Sequence, residues 1–185
     1  MLDINKLPKN KCSGFVVFDK IGKDFIVLMG SKMNEERIYE YFGGKNEKDD
    51  KTTLHTAVRE FIEEIFNIKI DEKYICDLVL NIIKNNDIRD KLTLTHTNHN
   101  NNLTYFIGFD TLEKIYNYLK YGKYKTIEHF NLIEFIKNRK ISGIEHNGLN
   151  EIDKLHLYFL KDVPKLKLRD VAKRITNHMF KKLYE

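Results

Sequence analysis

The stretch that decides the fold lies at residues 39–70 and reads YEYFGGKNEKDDKTTLHTAVREFIEEIFNIKI. It passes from an alternating segment through a double glycine, Gly43 and Gly44, and a polar insert into a segment with helical periodicity. In that segment, residues 53–66, apolar side chains recur three and four positions apart, as in a helix that buries one face. The same segment carries a cluster of charged residues, namely Arg59, Glu60, Glu63 and Glu64. The stretch therefore predicts a glycine turn followed by an amphipathic helix with an acidic cluster.

The acidic cluster predicts a cation site. Residues three and four apart share one face of a helix, so Glu60, Glu63 and Glu64 are expected to form one patch. Like charges at this spacing repel each other, and hard carboxylate oxygens suit Mg²⁺ or Mn²⁺. Arg59 lies four residues before Glu63 and can hold that carboxylate in one orientation. The alternative is a solvated acidic helix face, and the glycine pair upstream favours the metal site.

The double glycine is expected to belong to the same site. Gly43 and Gly44 permit a tight loop whose backbone comes close to a ligand. One carbonyl, assigned here to Gly43, would complete the metal shell, while N–H groups at Gly44 would meet phosphate oxygens. Lys45 follows directly and could contact a phosphate oxygen, and a solvated loop lysine is the equal alternative.

Together these residues resemble the Nudix box, G-x5-E-x7-R-E-U-x-E-E-x-G-U, where U is a bulky aliphatic residue. Gly44 matches the first glycine and Phe61 stands at the apolar position. The remaining matches are the R-E and E-E pairs, Arg59-Glu60 and Glu63-Glu64. The resemblance extends over residues 12–140, because the preceding strands and the segment IEHFNLIEFI are similar to the family's order of elements.

The chain also departs from the box. Arg59 is fifteen residues after Gly44 rather than fourteen, so Asp50 takes the place of the first glutamate only if the extra residue follows it. Phe66 stands where the box has its late glycine, and Asn67 is expected to end the helix in a left-handed turn instead. Phe42 replaces the usual proline before the double glycine.

The resemblance implies hydrolysis of a nucleoside diphosphate linked to another group, with Mg²⁺ or Mn²⁺ as cofactor. It implies metal ligation by Gly43, Glu60, Glu63 and Glu64. It also implies catalytic roles for Arg59 and Glu63. In many members a glutamate outside the box acts as general base, and Glu128 is the candidate here.

The bulk properties predict one domain over residues 1–185, with a core of residues 12–140 and a helical extension of residues 141–185. Strands mixed irregularly with helices predict an α+β fold, and the resemblance implies a Nudix-like α/β/α sandwich with a mixed sheet. The pattern predicts two hairpins, one that joins strands at 14–19 and 24–30 and one that joins strands at 91–97 and 103–109. It also predicts a strand at 74–84, helices at 53–66 and 111–122, and a strand turning into a helix at 127–140. Two C-terminal helices are expected at 149–162 and 165–184, separated by Pro164.

The charge distribution favours a polyanionic partner. The chain carries +5, and residues 148–185 hold nine Lys and Arg against five acids, which leaves +4 there. An amphipathic last helix would dock by its apolar stripe and expose a basic strip with Arg169, Lys173 and Arg174 as RNA contacts. Capped RNA is therefore the leading substrate, as in mRNA decapping. The alternatives are oxidised dNTPs, ADP-ribose, dinucleoside polyphosphates and diphosphoinositol phosphates, or a Nudix-fold module that binds RNA or nucleotide without turnover.

The remaining features predict an intracellular protein without a membrane partner. No segment approaches the run of about 18 apolar residues that crosses a bilayer, and the N-terminus lacks a signal-peptide core. Cys12 and Cys76 are too few and too far apart for a disulfide framework or a zinc site, which favours the reducing cytoplasm.

Overall fold

A computed structural model describes residues 12–32, 36–95, 101–124, 130–139 and 152–185. The strands are β1 (Cys12–Ile21), β2 (Asp24–Lys32), β3 (Ile38–Glu40), β4 (Phe42–Lys45), β5 (Asp90–Thr95), β6 (Asn101–Ile107) and β7 (Lys154–Phe159). The α-helices are α1 (Thr53–Phe66), α2 (Glu72–Lys84), α3 (Phe109–Tyr121), α4 (Leu132–Asn138) and α5 (Asp170–Tyr184), and a 3-10 helix spans Leu160–Lys165.

Within the described ranges, seven strands form one mixed sheet, which confirms the predicted α+β class. Its main order is β3-β2-β1-β6-β5, while β4 pairs with β1 and β7 pairs with β2. Strand β1 is parallel to β6 and antiparallel to β2 and β4. The two predicted hairpins, β1–β2 and β5–β6, are both present. The start of β6 and the glycine strand β4 pair with the same residues of β1, one strand on each side.

Helices cover both faces of the sheet, and alternate side chains of β1 pack against opposite faces. Phe15 and Val17 belong to the core cluster shared with α1, whereas Val16 belongs to the cluster shared with α5. Period-two alternation places neighbouring residues on opposite faces of a strand. The result is a helix–sheet–helix sandwich.

Helix α1 forms as predicted, with a local signal at each end. Thr52 precedes it in extended conformation and accepts a hydrogen bond from the His55 N–H at 3.1 Å. Asn67 ends it with φ at 56°, the left-handed conformation expected in place of the missing glycine. The apolar stripe, including Phe61 and Ile65, is fully buried.

The prediction of a strand at residues 74–84 is wrong. These residues belong to helix α2. Its buried residues, Ile75, Leu78, Val79 and Ile82, recur three, one and three positions apart, which is a helical period. The side chain of Asp71 accepts the Tyr74 N–H and starts the helix. The run contains so many apolar residues that it resembles a buried strand, and the helical period was therefore missed.

The predicted helix at 149–162 is also wrong over its described part. Residues 154–159 form β7, which lies antiparallel to β2, and residues 160–165 form the 3-10 helix that contains Pro164. Backbone pairing with β2 outweighs the local pattern here. The last helix is confirmed, but it begins at Asp170. Of the predicted segment at 127–140, residues 127–129 and 140 lie outside the described residues, and α4 is helical as predicted.

No helix among the described residues is long and apolar enough to cross a bilayer.

Candidate active site

A cavity of about 540 Å³ opens where β1, β4 and β6 meet helix α5. Its acidic end is lined by Gly43, Gly44, Glu60 and Glu64. The cavity is also lined by residues of β6 and of the first two turns of α5. The cavity therefore joins the predicted metal site to the C-terminal helix.

Position 43 requires glycine because the backbones of β4 and β1 lie too close together there for a side chain. Gly43 faces Gly14 of β1, and a Cβ built on Gly43 would lie 2.7 Å from the Gly14 Cα. A Cβ on Gly14 would lie 2.0 Å from the Phe42 carbonyl oxygen. The close approach leaves the Gly43 N–H directed at α1, where it donates to Glu64 Oε2 at 2.7 Å.

The second glycine makes room for a glutamate. A Cβ on Gly44 would lie 2.2 Å from Glu60 Cδ and 2.3 Å from Glu60 Oε1. No side chain fits at this position unless Glu60 moves away. The glycine pair thus brings β4 against two carboxylates of α1.

Arg59 is the centre of an ion-pair network. Its Nη1 lies 3.0 Å from Glu60 Oε1 and 3.1 Å from Glu63 Oε2. Its Nη2 donates to the Lys45 carbonyl oxygen at 2.9 Å. Burial would lower the pKa of Arg59, but Asp50, Glu60 and Glu63 raise it above its ordinary value. Arg59 therefore holds its charge and fixes Glu63, as the four-residue spacing predicted.

Asp50 anchors Arg59 from the loop. The carboxylate is buried, and it accepts hydrogen bonds from Arg59, from the Glu47 N–H at 2.9 Å and from the Thr56 hydroxyl at 3.0 Å. Burial would raise the pKa of Asp50, but these hydrogen bonds and the Arg59 charge hold it below its usual range. These contacts tie Asp50 to Arg59, as expected if the extra residue of the box follows Asp50.

Glu64 is a buried carboxyl group whose pKa lies well above its ordinary value. Burial raises its pKa to about 8, with further contributions from the charges of Glu40 and Glu60, and the Gly43 N–H opposes the rise. Burial also raises the pKa of Glu63, although Arg59 opposes it. A pKa this high means that too little positive charge lies near the buried carboxylate to stabilise its ionised form, and a bound cation would supply that charge.

The three glutamates do not converge as closely as predicted. Glu60 and Glu63 both turn toward Arg59, whereas Glu64 binds Gly43, and only Glu60 and Glu64 line the cavity. Among the described residues, no three His, Cys, Asp or Glu side chains form a ready metal-binding group. The carboxylates of Glu60, beside Gly44, and of Glu64, beside Gly43, both line the cavity, and their hard oxygen donors are of the kind that Mg²⁺ or Mn²⁺ prefers.

The other predicted residues lie at different places. Lys45 and Arg169 line the cavity, whereas Lys173 and Arg174 lie further along α5 and contact Asp170. Four basic residues of the C-terminal segment form ion pairs, namely Lys165 with Asp162, Arg169 with Glu40, Lys173 with Asp170 and Lys182 with Asp90. Glu128 lies outside the described residues.

Sequence reasoning missed Glu40 and Arg139. Glu40 lines the cavity from β3. The sequence signal that could have identified it is its position as an acid in the alternating segment just before the glycine pair. Arg139 follows α4 and donates to the carbonyl oxygens of Glu64 at 2.5 Å, of Ile65 at 3.1 Å and of Ile152. It thereby holds the last turn of α1, and no local pattern marks such a long-range contact.

Neither a scan of protein-family models nor a search of curated proteins finds a match. A search of solved structures finds similar folds. The Nudix hydrolase RenU from M. smegmatis is 10% identical and has a TM-score of 0.50, with 94% of this chain and 85% of that chain covered. A C. elegans Ap4A hydrolase is 12% identical with a TM-score of 0.43, covering 85% of this chain and 86% of that one. The NUDIX domain of S. oneidensis NrtR, complexed with ADP ribose, is 10% identical with a TM-score of 0.47, covering 93% and 86%. The likeness to RenU shows that the chain has the fold of the Nudix hydrolases.

Proposed function

We propose that this protein is a divalent-metal-dependent hydrolase that cleaves the diphosphate linkage of nucleoside diphosphate derivatives. The observation that carries the proposal is the contact between Glu64 and the Gly43 N–H beside Glu60, at the end of a cavity large enough for a nucleotide. Two carboxylates and a glycine backbone are brought together there on the fold of a hydrolase superfamily.

The cation would be Mg²⁺ or Mn²⁺, held by Glu60, Glu64 and the Gly43 backbone, with Glu63 as a further ligand. When bound, it supplies positive charge that neutralises the diphosphate and favours ionisation of a nearby water. The raised pKa of Glu64 supports this role, because a cation would compensate the cost of burying its charge.

The chain's own residues would position the diphosphate and move one proton. The N–H of Gly44 and the ammonium of Lys45 bind phosphate oxygens at the cavity. A water oxygen forms a bond to one phosphorus, the bridging P–O bond breaks, and the bridging oxygen leaves on the other phosphate. The water proton goes to a carboxylate, for which Glu128 is the first candidate and Glu63 the second. Arg59 acts by orienting Glu60 and Glu63.

The test is hydrolysis of a panel in Mg²⁺ or Mn²⁺ by the wild type and by Glu64→Gln. The panel holds capped RNA, ADP-ribose, dinucleoside polyphosphates, oxidised dNTPs and diphosphoinositol phosphates. We expect turnover of at least one compound by the wild type and a loss of about 100-fold or more in Glu64→Gln. Near-normal activity of Glu64→Gln would overturn the ligand assignment. Binding of RNA or nucleotide without any turnover would identify a non-catalytic module instead.

Glu128→Gln tests the general base separately. If Glu128 accepts the water proton, the variant should lose about 100-fold or more in kcat while its circular dichroism spectrum is retained. Unchanged kcat would transfer the role to Glu63 or Glu60.

Capped RNA is the second, more specific candidate. It is supported by the position of Arg169, which lines the cavity at the start of α5, with the half-exposed Lys173 one turn further along. A phosphate backbone leaving the cavity could follow this helix. Release of m7GDP from capped RNA, weakened by reversing the charges of Lys173 and Arg174, is the expected result. Turnover of free nucleotides alone would exclude decapping.

We place this activity in the reducing cytoplasm, a proposal supported by the two free cysteines, Cys12 and Cys76.

A further inference from the structure

Two cationic side chains share one carboxylate at the wall of the cavity. Lys32 is the last residue of β2, Glu40 is the last residue of β3, and Arg169 immediately precedes α5. The Lys32 ammonium lies 3.4 Å from Glu40 Oε1, and Arg169 Nη1 lies 2.7 Å from Glu40 Oε2. All three residues line the cavity, and the proposed cleavage step uses none of them.

These residues lie on the face of the sheet that α1 covers. Leu28 of β2 packs in the core cluster shared with α1, and alternation places Gly30 and Lys32 on the same face. Glu40 is directly opposite Gly30, so it is the diagonal neighbour of Lys32 on that face. The charges of Lys32 and Glu40 both act on the carboxyl group of Glu64. The two cations therefore lie beside the proposed metal site.

The acid is buried, whereas the two cations reach the surface of the cavity. The side chains of Lys32 and Arg169 are 23% and 54% exposed, and that of Glu40 is 10% exposed. The backbone N–H of Arg169 donates to the Tyr39 carbonyl oxygen at 3.2 Å, which ties the start of α5 to β3. Glu40 thus holds two like-charged side chains together, and the cations are the parts that a ligand can contact.

A phosphate group is the ligand that suits these cations. Among the described residues, Glu40 is the acid that Arg169 contacts, and the contact uses Nη1 alone. The rest of the guanidinium is a planar fork of N–H donors, which matches the oxygens of a phosphate group. The Lys32 ammonium adds a point charge at the other oxygen of the same carboxylate.

The order of residues along β3 and β4 separates these cations from Lys45. Glu40 comes first, the glycine pair at 43–44 follows against the carboxylates of α1, and Lys45 comes last. The proposed function uses Lys45 and the metal site for two phosphates. Arg169 and Lys32 lie on the opposite side of the metal site along this strand, where the next phosphate of a longer chain would lie.

We propose that Arg169 and Lys32 form a subsite for a third phosphate group, so that the preferred substrates carry at least three consecutive phosphates. The inference rests on the proposed function for the position of the other two phosphates. It favours nucleoside triphosphates, dinucleoside polyphosphates and capped RNA over ADP-ribose, which has two phosphates. Glu40 acts as a positioning residue that holds both cations at the subsite.

The test compares binding of inorganic triphosphate and inorganic diphosphate to the full chain in excess Mg²⁺, measured by calorimetry. Neither probe has a base, so the difference between them reports on the third phosphate alone. We expect triphosphate to bind about tenfold more tightly than diphosphate, because a hydrogen bond to a charged group is worth about that factor. Arg169→Gln should reduce this preference to about twofold or less and leave diphosphate binding unchanged.

The matched control is Lys167→Gln, which removes an equally exposed cation that pairs with Glu36 outside the cavity. It should keep the wild-type preference, which separates a local subsite from the general effect of lowering the positive charge of the chain. Arg169→Lys keeps the charge and should retain most of the preference.

A second variant protects the test against misfolding. If Arg169→Gln does not fold, Lys32→Gln should still reduce the preference, because Lys32 lies at the same subsite. Equal binding of the two probes by the wild type, absence of triphosphate binding, or an unchanged preference in a folded Arg169→Gln would overturn the inference. Triphosphate preference without hydrolysis of any substrate would leave it standing and remove the proposed function. Hydrolysis of ADP-ribose with equal binding of the two probes would do the reverse.

Discussion

Arg59 and Asp50 are joined by two parallel hydrogen bonds, from Nε to Oδ1 at 3.2 Å and from Nη2 to Oδ2 at 3.0 Å. This fork-to-fork contact fixes the plane of the guanidinium, so the free Nη1 is presented to Glu60 and Glu63 together. Asp50 lies two residues before Thr52, the residue that starts α1, whereas Arg59 lies within the helix. The site therefore keeps its central pair despite the longer spacing.

Asp50→Asn should destabilise the protein in a pH-dependent way. The folded pKa of Asp50 is lowered, so its contribution to stability is present above the unfolded pKa and is lost as pH falls through the folded pKa. We expect the variant to lose about 2 kcal/mol of unfolding free energy at pH 7, and less below pH 3.8. Urea unfolding at several pH values measures this. The exposed neighbour in Asp49→Asn is the control, and an equal loss in both variants would contradict the anchoring role.

Glu64→Gln should flatten the pH dependence of stability in EDTA. Glu64 keeps its proton in the folded protein up to about pH 8 but loses it near 4.5 when unfolded, so the unfolding free energy falls as pH rises between these values. Each unit is worth about 1.4 kcal/mol, and we expect the variant to be more stable than the wild type by about 2 kcal/mol or more at pH 8. Denaturant unfolding in EDTA between pH 5 and pH 8 checks the slope.

Glu134→Gln, a change of an exposed acid, is the control for that experiment. Its unfolding free energy should change with pH as that of the wild type does. Added Mg²⁺ should stabilise the wild type and not Glu64→Gln, because a cation needs the charged carboxylate. Equal stabilisation of both proteins by Mg²⁺ would argue against Glu64 as a ligand.

Gly44→Ala should impair activity more than folding. Its Cβ would lie 2.2 Å from Glu60 Cδ, and the flexible Glu60 side chain can move aside more easily than the backbone. We expect a loss of about tenfold or more in kcat, since a misplacement of about 1 Å is enough for such losses, with a small change in Tm. Gly22→Asn is the control, because this turn position has open space and a left-handed backbone that asparagine tolerates. An active Gly44→Ala would show that Glu60 need not adjoin the glycine.

Arg139→Ala should destabilise the last turn of α1. The substitution leaves the Glu64 and Ile65 carbonyl oxygens without their donors, at an expected cost of about 3 kcal/mol. Thermal unfolding measures the loss, and hydrogen exchange should show faster opening at the end of α1 than at its start. Lys137→Ala, an exposed change on α4, is the control. Uniform protection along α1 in Arg139→Ala would contradict a local anchoring role.

The sequence alone was sufficient for elements whose signals are local. Helix α1 has a periodic apolar stripe, a threonine at its start and an asparagine at its end, and each acts within one turn. The contact between Arg59 and Glu63 follows from helical spacing. The hairpins β1–β2 and β5–β6 join neighbouring segments, so alternation and turn residues are enough to predict them.

Only the tertiary structure decided the features that depend on distant partners. β7 is a strand because β2 offers an unpaired edge, and residues 74–84 form a helix that packs on α1 rather than a strand in the sheet. The cavity needs Glu40 from β3 and Arg169 from α5 to meet, and no spacing along the chain encodes that contact. Local patterns report on free energies within a turn or a hairpin, whereas edge pairing and buried ion pairs depend on which segments the whole fold brings together.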